Sequence, residues 1–277
     1  KDIKINPYYA FYHSEDGYLF LQNPLAVSTT LANKLNTATN AMADNVNVSA
    51  VGLDFDAKIG AASVWFTGIY QFGEAKLTAC GAGVFNAAAT TVKHALVAGD
   101  TLDVKTYLLA AGGKYDFGKA DIHGRAFYAT GDDKNGYTDG EINGFFTTAS
   151  TVYYWSEILG GGTFDNAWPT VQGGTLANPN PVVTNVMAVN LGVTVKPMDK
   201  LSITGDLWWA KLAEQNADNK DNLGVEANLK ISYTLVEGLT LDIVGAYLFA
   251  GDAIETNNDG KNLKDPFEFG TMLSLSF

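Results

Sequence analysis

From Leu201 onward, large apolar and polar residues alternate with a period of two. Leu201, Ile203, Leu207 and Trp209 stand against Ser202, Thr204 and Asp206, and Val225, Leu229, Ile231 and Tyr233 against Glu226, Asn228, Lys230 and Ser232. Leu239, Leu241, Ile243, Tyr247 and Phe249 oppose Thr240 and Asp242; Phe267, Phe269, Leu273, Leu275 and Phe277 oppose Glu268, Ser274 and Ser276. Successive side chains of a strand leave on opposite faces, so each stretch predicts a strand with one apolar and one polar face. The polar row carries full charges and the apolar row ends in rings. That combination fits a strand whose outer face meets lipid, with aromatic girdles at the two interfaces. Phe277, closing the last stretch, reads as a C-terminal barrel signal.

The earlier chain repeats the pattern less cleanly. Residues 3–12 alternate around Pro7, which belongs on an edge or at a bulge. Further strands are predicted over 48–57, 61–72, 104–115, 120–130 and 182–195, about ten in all. Short turns at 58–60, 116–119, 196–200 and 236–238 alternate with long loops at 14–47, 73–103, 131–181 and 251–265. Short turns on one side and long loops on the other are the layout of an outer-membrane barrel, with the turns periplasmic and the loops extracellular. The expected fold is therefore all-β, a transmembrane antiparallel up-and-down β-barrel formed by one domain over 1–277. An even strand count permits closure, which removes exposed edges. A soluble β-sandwich would need two apolar inner faces and evenly short loops. In the first loop Leu31, Leu35 and Met42 lie near helical spacing, consistent with a short helix or with a solvated loop.

Composition narrows the classes. The chain has 277 residues, 47% apolar and 17% charged, with a formal net charge of −12. No run approaches the roughly 20 apolar residues that a membrane-crossing helix needs, whereas a crossing strand needs only about 9–11. The acidity speaks against a nucleic-acid partner. Cys80 stands alone and no Cys-x-x-Cys-His is present, which excludes an internal disulfide and covalent haem; no cofactor is expected. Because the sequence opens on Lys1, it reads as a mature chain or a fragment.

By parity the inward row contains Asp54, Asp56, Arg125, Asp206, Glu226, Lys230, Asp242 and Glu268, the candidate pore-lining residues, together with Lys4, Lys114, Asp121 and His123. In a barrel of eight to ten strands such groups pair across the interior and fill it; in a wider one they line an aqueous path and set ion selectivity. Acids outnumber bases, which predicts a modest cation preference, with Asp206 and Asp242 as a shared acidic patch. The long loop holds many rings: Phe145, Phe146, Tyr153, Tyr154, Trp155, Phe164 and Trp168. Rings are costly to leave in water, so they should fold onto the rim, plug the mouth or pack on another subunit. His13 stands beside Glu15 and Asp16 at one strand top and His94 in a distant loop, but nothing in the spacing requires a carboxylate to reach either ring, so no enzyme is expected. The Asp132–Glu141 stretch departs from calcium-loop spacing, and Asn257–Gly260 reads as a turn; no metal site is expected.

Two stretches carry a resemblance. Tyr153-Tyr154-Trp155-Ser156-Glu157-Ile158-Leu159-Gly160-Gly161-Gly162-Thr163-Phe164-Asp165-Asn166 resembles a loop motif of porin-like outer-membrane proteins of anaerobic sulfate- and metal-reducing bacteria. The ending is similar too, from Asn185 through Lys196-Pro197, Leu207-Trp208-Trp209-Ala210-Lys211-Leu212-Ala213-Glu214 and Gly245–Ala253 to Phe277. These proteins sit near alginate-export-type barrels and are usually longer, with further strands ahead. The resemblance implies a passive outer-membrane channel for ions or small polar solutes. Its surroundings would be outer-membrane lipid and lipopolysaccharide, with barrel-assembly machinery for insertion and a homo-oligomer as one assembly. A plugged structural or interaction barrel is the alternative, and an outer-membrane hydrolase a further one.

Overall fold

A computed structural model describes residues 2–15, 42–79, 100–132, 140–146, 155–164, 183–215, 220–254 and 265–276. Its strands are β1 (Asp2–Ser14), β2 (Met42–Ile59), β3 (Ala62–Ala79), β4 (Thr101–Asp116) and β5 (Ala120–Ala129). After the two-residue β6 (Glu141–Ile142) come β7 (Val186–Met198), β8 (Leu201–Leu212), β9 (Asn222–Val236), β10 (Leu239–Ala250) and β11 (Phe267–Leu275). The ten long strands pair antiparallel with their sequence neighbours, and β6 lies parallel to β4. This is an all-β up-and-down meander, as the alternation predicts.

Side-chain parity follows the predicted faces. Along β4 the even positions Leu102, Val104, Thr106 and Ala110 are buried, while Tyr107, Leu109 and Tyr115 are exposed. On β7–β11 the exposed row includes Leu191, Leu207, Leu229, Tyr247, Phe249 and Phe269, all large and apolar. The inner row of the same strands holds Asn190, Trp208, Glu226, Asp242 and Leu248, all buried. An exposed apolar row of this extent has no place against water, and lipid is the solvent that suits it.

Short turns close one end of the meander. Gly60, Gly118 and Gly238 take φ of 64°, 91° and 79°, conformations open to residues without a Cβ. At the second turn the Gly118 N–H also donates to Asp116 Oδ1 at 2.7 Å.

Three expectations need correction. Met42, assigned to possible helical spacing, begins strand β2; Leu31 and Leu35 lie outside the described residues. The strand predicted from 182 starts at Val186, because Asn185 just before it takes a φ of 48° and breaks the extended run; its side chain binds the Glu214 backbone. Closure is not seen: β1 and β11 are the two ends of the pairing path. The sheet wraps only part of the way round. The inward row of β1 reflects this, with Tyr8 and Tyr12 still exposed.

Candidate functional site: a strap held inside the sheet

The inward face of β4–β10 is covered by a cluster with no counterpart on β1. Phe127, Trp208, Leu212, Leu223 and Leu248 come from the wall, and Phe145, Trp155, Leu159 and Val183 from the long connection between β5 and β7. The chain of that connection passes inside the sheet at two described points.

The first is residues 140–146, which extend the sheet edge at β6 and turn onto the inner face at Phe145 and Phe146. β6 pairs with β4, and Lys105 Nζ reaches Glu141 Oε1 at 2.6 Å; that hydrogen bond holds the Glu141 carboxyl below its ordinary range. Deeper in, buried Gln71 grips Phe146 at both backbone polar groups: Gln71 Nε2 donates to its carbonyl at 2.8 Å and Oε1 accepts from its N–H at 3.4 Å. Phe145 N–H donates to Thr130 O at 2.9 Å.

The second is the strap, residues 155–164. Glu226, wholly buried on β9, receives three successive backbone N–H groups: Glu157 at 2.8 Å and Ile158 at 3.0 Å on Oε1, and Leu159 at 2.8 Å on Oε2. Successive amides turned to one point form an anion-holding concavity, and the partial positive charge of each donor offsets part of the cost of burying the carboxyl group. Arg125 Nη2 donates to the Trp155 carbonyl at 3.1 Å, while its guanidinium lies 4.7 Å from the Trp208 ring centre. The Trp155 ring packs edge-on against Phe127 and Trp208, with centroids 5.2 and 5.1 Å apart. The strap also holds its own shape: Glu157 accepts from the Thr163 N–H and hydroxyl, and Gly162 N–H donates to Ser156 O. At its far end Phe164 lies over Gly270 of β11, where any side chain would collide with the ring. The strap thus spans from β5 to β11 across the inner face.

Below it the inward charges are paired. His123 has Nδ1 on Asp121 Oδ1 at 2.8 Å and Nε2 on Asp206 Oδ1 at 3.1 Å. Lys114 Nζ lies 2.8 Å from Asp121 Oδ2, and Asn190 Nδ2 donates to Asp206 Oδ1 at 2.8 Å. The His123–Asp206 contact passes over Gly192, where a Cβ would strike both groups. Lys230 Nζ pairs with Asp242 Oδ2 at 3.0 Å. Asp54 accepts from Thr67 at 2.7 Å on the far wall.

All eight predicted lumen residues lie on the inward row, but their roles separate. Arg125 and Glu226 hold the strap instead of facing open water. The expected Asp206–Asp242 patch does not form: Asp206 is level with Asn228 and Ala246, four residues along β10 from Asp242. At about 3.3 Å per residue they lie roughly 13 Å apart in depth, each with its own partners. His123 joins an interior ion-pair group between Asp121 and Asp206, while Arg125 goes to the strap. Of the loop rings, Phe145 and Trp155 turn inward and Phe164 reaches β11; Tyr153, Tyr154, Trp168 and Phe277 lie outside the described residues. Asp132 accepts the Asn143 and Gly144 N–H groups and so closes a turn. Among the described residues no group of three or more potential ligands suits a metal ion. Sequence reasoning missed Gln71 and Asn185; a Gln at an inward position flanked by Tyr70 and Phe72 was the one available signal for the first.

No known family's sequence profile matches the chain, and no curated protein matches it. Several solved structures are similar in shape. OmpT of Vibrio cholerae, in its trimer form, has a TM-score of 0.42 at 14% identity, over 83% of this chain and 56% of that one. The NanC porin has 0.40 at 12%, over 99% and 97%. The FrpB iron transporter from Neisseria meningitidis has 0.43 at 10%, over 99% and 38%. This chain therefore spans little more than half the length of the first and well under half of the last. The similarity is in the general architecture of outer-membrane β-proteins, and nothing further rests on it.

Proposed function

We propose that the protein is an outer-membrane β-barrel protein acting as a porin-like channel, through which ions or small polar solutes diffuse passively with a modest preference for cations. The observation that supports this most is the strap. A loop returned onto the inner face and held there by Glu226 is what would narrow a lumen once the barrel is closed. It covers the inward face of β4–β10 and leaves that of β1, with Lys4, Asn6 and Tyr8, exposed. The paired charges below the strap give a polar wall, which a diffusion path for hydrated solutes requires. The exposed apolar row outside suits lipid, which supports the outer-membrane reading.

The second reading is a plugged barrel that presents its long loops to partners. It is favoured by the buried Phe127–Trp155–Trp208 cluster, whose rings pack directly on one another. Planar-bilayer recording of the folded protein separates the two. Discrete conductance steps are expected, and a protein that inserts without passing current overturns the channel reading.

A further inference from the structure

Two rings of the inner wall lie down where the wall has no side chain beneath them. Tyr8 of β1 stands across from Gly52 of β2. A Cβ on Gly52 would meet Tyr8 Cζ first and then Oη and Cε2, so it would enter through the face of the phenol ring. Trp65 of β3 lies across Gly112 of β4, at its indole Cε2, Nε1 and Cζ2 atoms. A ring laid flat on a sheet turns its other face to the lumen. Tyr8 keeps 38% of its surface exposed, and Trp65 is part-buried, packed against the cluster at the strap.

The two platforms are set on a diagonal with polar groups between them. Gly52 is level with Leu108 through Ile69, and Gly112 lies four residues further along β4. At about 3.3 Å per residue and about 4.8 Å per strand, they stand roughly 13 Å apart in depth and two strands apart around the wall. Thr67 lies midway, and its hydroxyl donates to Asp54 Oδ1 at 2.7 Å. Exposed Asn6 stands across from Asp54. Charge is nearly balanced here, with Lys4 across from Asp56 and Asp2 across from Lys58. The patch therefore has little net charge with which to hold an ion.

An aromatic face carries the negative lobe of the ring quadrupole, and a sugar ring offers weakly positive C–H bonds on its faces and hydroxyls around its edge. Asn6 can both donate and accept, and the Asp54 carboxylate accepts, so the wall supplies both kinds of contact. We propose that the inner face of β1–β3 is a binding track for a short neutral oligosaccharide, whose sugar faces stack on Tyr8 and Trp65 and whose hydroxyls meet Asn6 and Asp54 between them. One sugar ring is too short to reach both platforms, so the ligand is an oligomer. The inference rests on the channel reading and deepens it by naming the class of polar solute. The strap, lying over β4–β10, leaves this wall to that solute.

The test is binding of maltotetraose and cellotetraose to the folded protein, in a detergent without sugar headgroups, by calorimetry and saturation-transfer NMR. Saturable binding of at least one tetramer is expected, with glucose at least tenfold weaker. Tyr8→Ala and Trp65→Ala should each weaken that binding at least fivefold. Tyr8→Phe keeps the ring face and should stay within twofold of wild type. So should Tyr9→Ala, which removes a 64% exposed ring from the lipid side. Binding of neither tetramer, or a loss from Tyr9→Ala equal to that from Tyr8→Ala, overturns the track. Conduction is read separately in planar bilayers, where the bound tetramer should reduce the wild-type current and block Tyr8→Ala less. A wild type that binds the tetramer without passing current overturns the channel reading and keeps the track. One that conducts and binds neither tetramer overturns the track and keeps the channel.

Discussion

Glu226 is where one side chain decides the most. Each hydrogen bond to a buried charged group contributes about 1.5–3 kcal/mol, and this carboxylate accepts three from consecutive strap amides. Glu226→Gln keeps the volume but replaces one acceptor oxygen by an NH2 that points donors at donors. The strap should then detach while the ladders of the sheet persist. The checks are tryptophan emission, expected to shift red as buried Trp155 meets water, and heat-modifiable gel migration, expected to be retained. Emission identical to wild type would show that Glu226 is not the latch. By parity alone Glu226 was one inward charge among a dozen. Its partner amides lie 67–69 residues away in sequence, and no periodicity reports a contact of that range.

At the scale of the strand, alternation was enough where one row is apolar throughout. The predicted stretches 201–212 and 239–250 coincide with β8 and β10. β2 and β3 run on past their predicted ends, through Asn45, Asn47, Glu74 and Lys76. Backbone ladders need no apolar side chain, so strands continue above the lipid band where the hydropathy signal has stopped. Parity also makes a stability prediction. Arg in place of Ile243, on the outer row, should cost about 2–4 kcal/mol near the bilayer midplane. Val244, though inward, is no fair control, because it is fully buried among its neighbours. Ser232 is better: it faces inward directly across from Asp242, so Arg there gains a carboxylate and should cost little. Denaturant unfolding from vesicles measures both, and a costlier Ser232→Arg would place the two faces the other way round.

For the whole molecule, the ends of the meander are unlike in length, and this predicts its orientation. At one end lie turns of a few residues, such as that between Met198 and Leu201; at the other lie the long connections, one of which folds back as the strap. In outer-membrane barrels the short turns are periplasmic and the long connections extracellular. In the proposed channel the strap would enter the lumen from the outside, and Glu157 would meet a solute before the paired groups Asp121, His123 and Asp206 do. Two exposed positions test the orientation in a Cys80→Ser background. Glu15, just past β1, has an 86% exposed side chain, and Lys200 lies exposed in the β7–β8 turn. A membrane-impermeant maleimide too large for the lumen should label Glu15→Cys on intact cells, and Lys200→Cys only once the outer membrane is broken. Ser156→Cys adds the strap to the same experiment. At 4% exposure it should stay unlabelled on intact cells and become reactive when combined with Glu226→Gln. Prompt labelling of Ser156→Cys with Glu226 intact would remove the strap from the lumen, and labelling of Lys200→Cys on intact cells would invert the molecule.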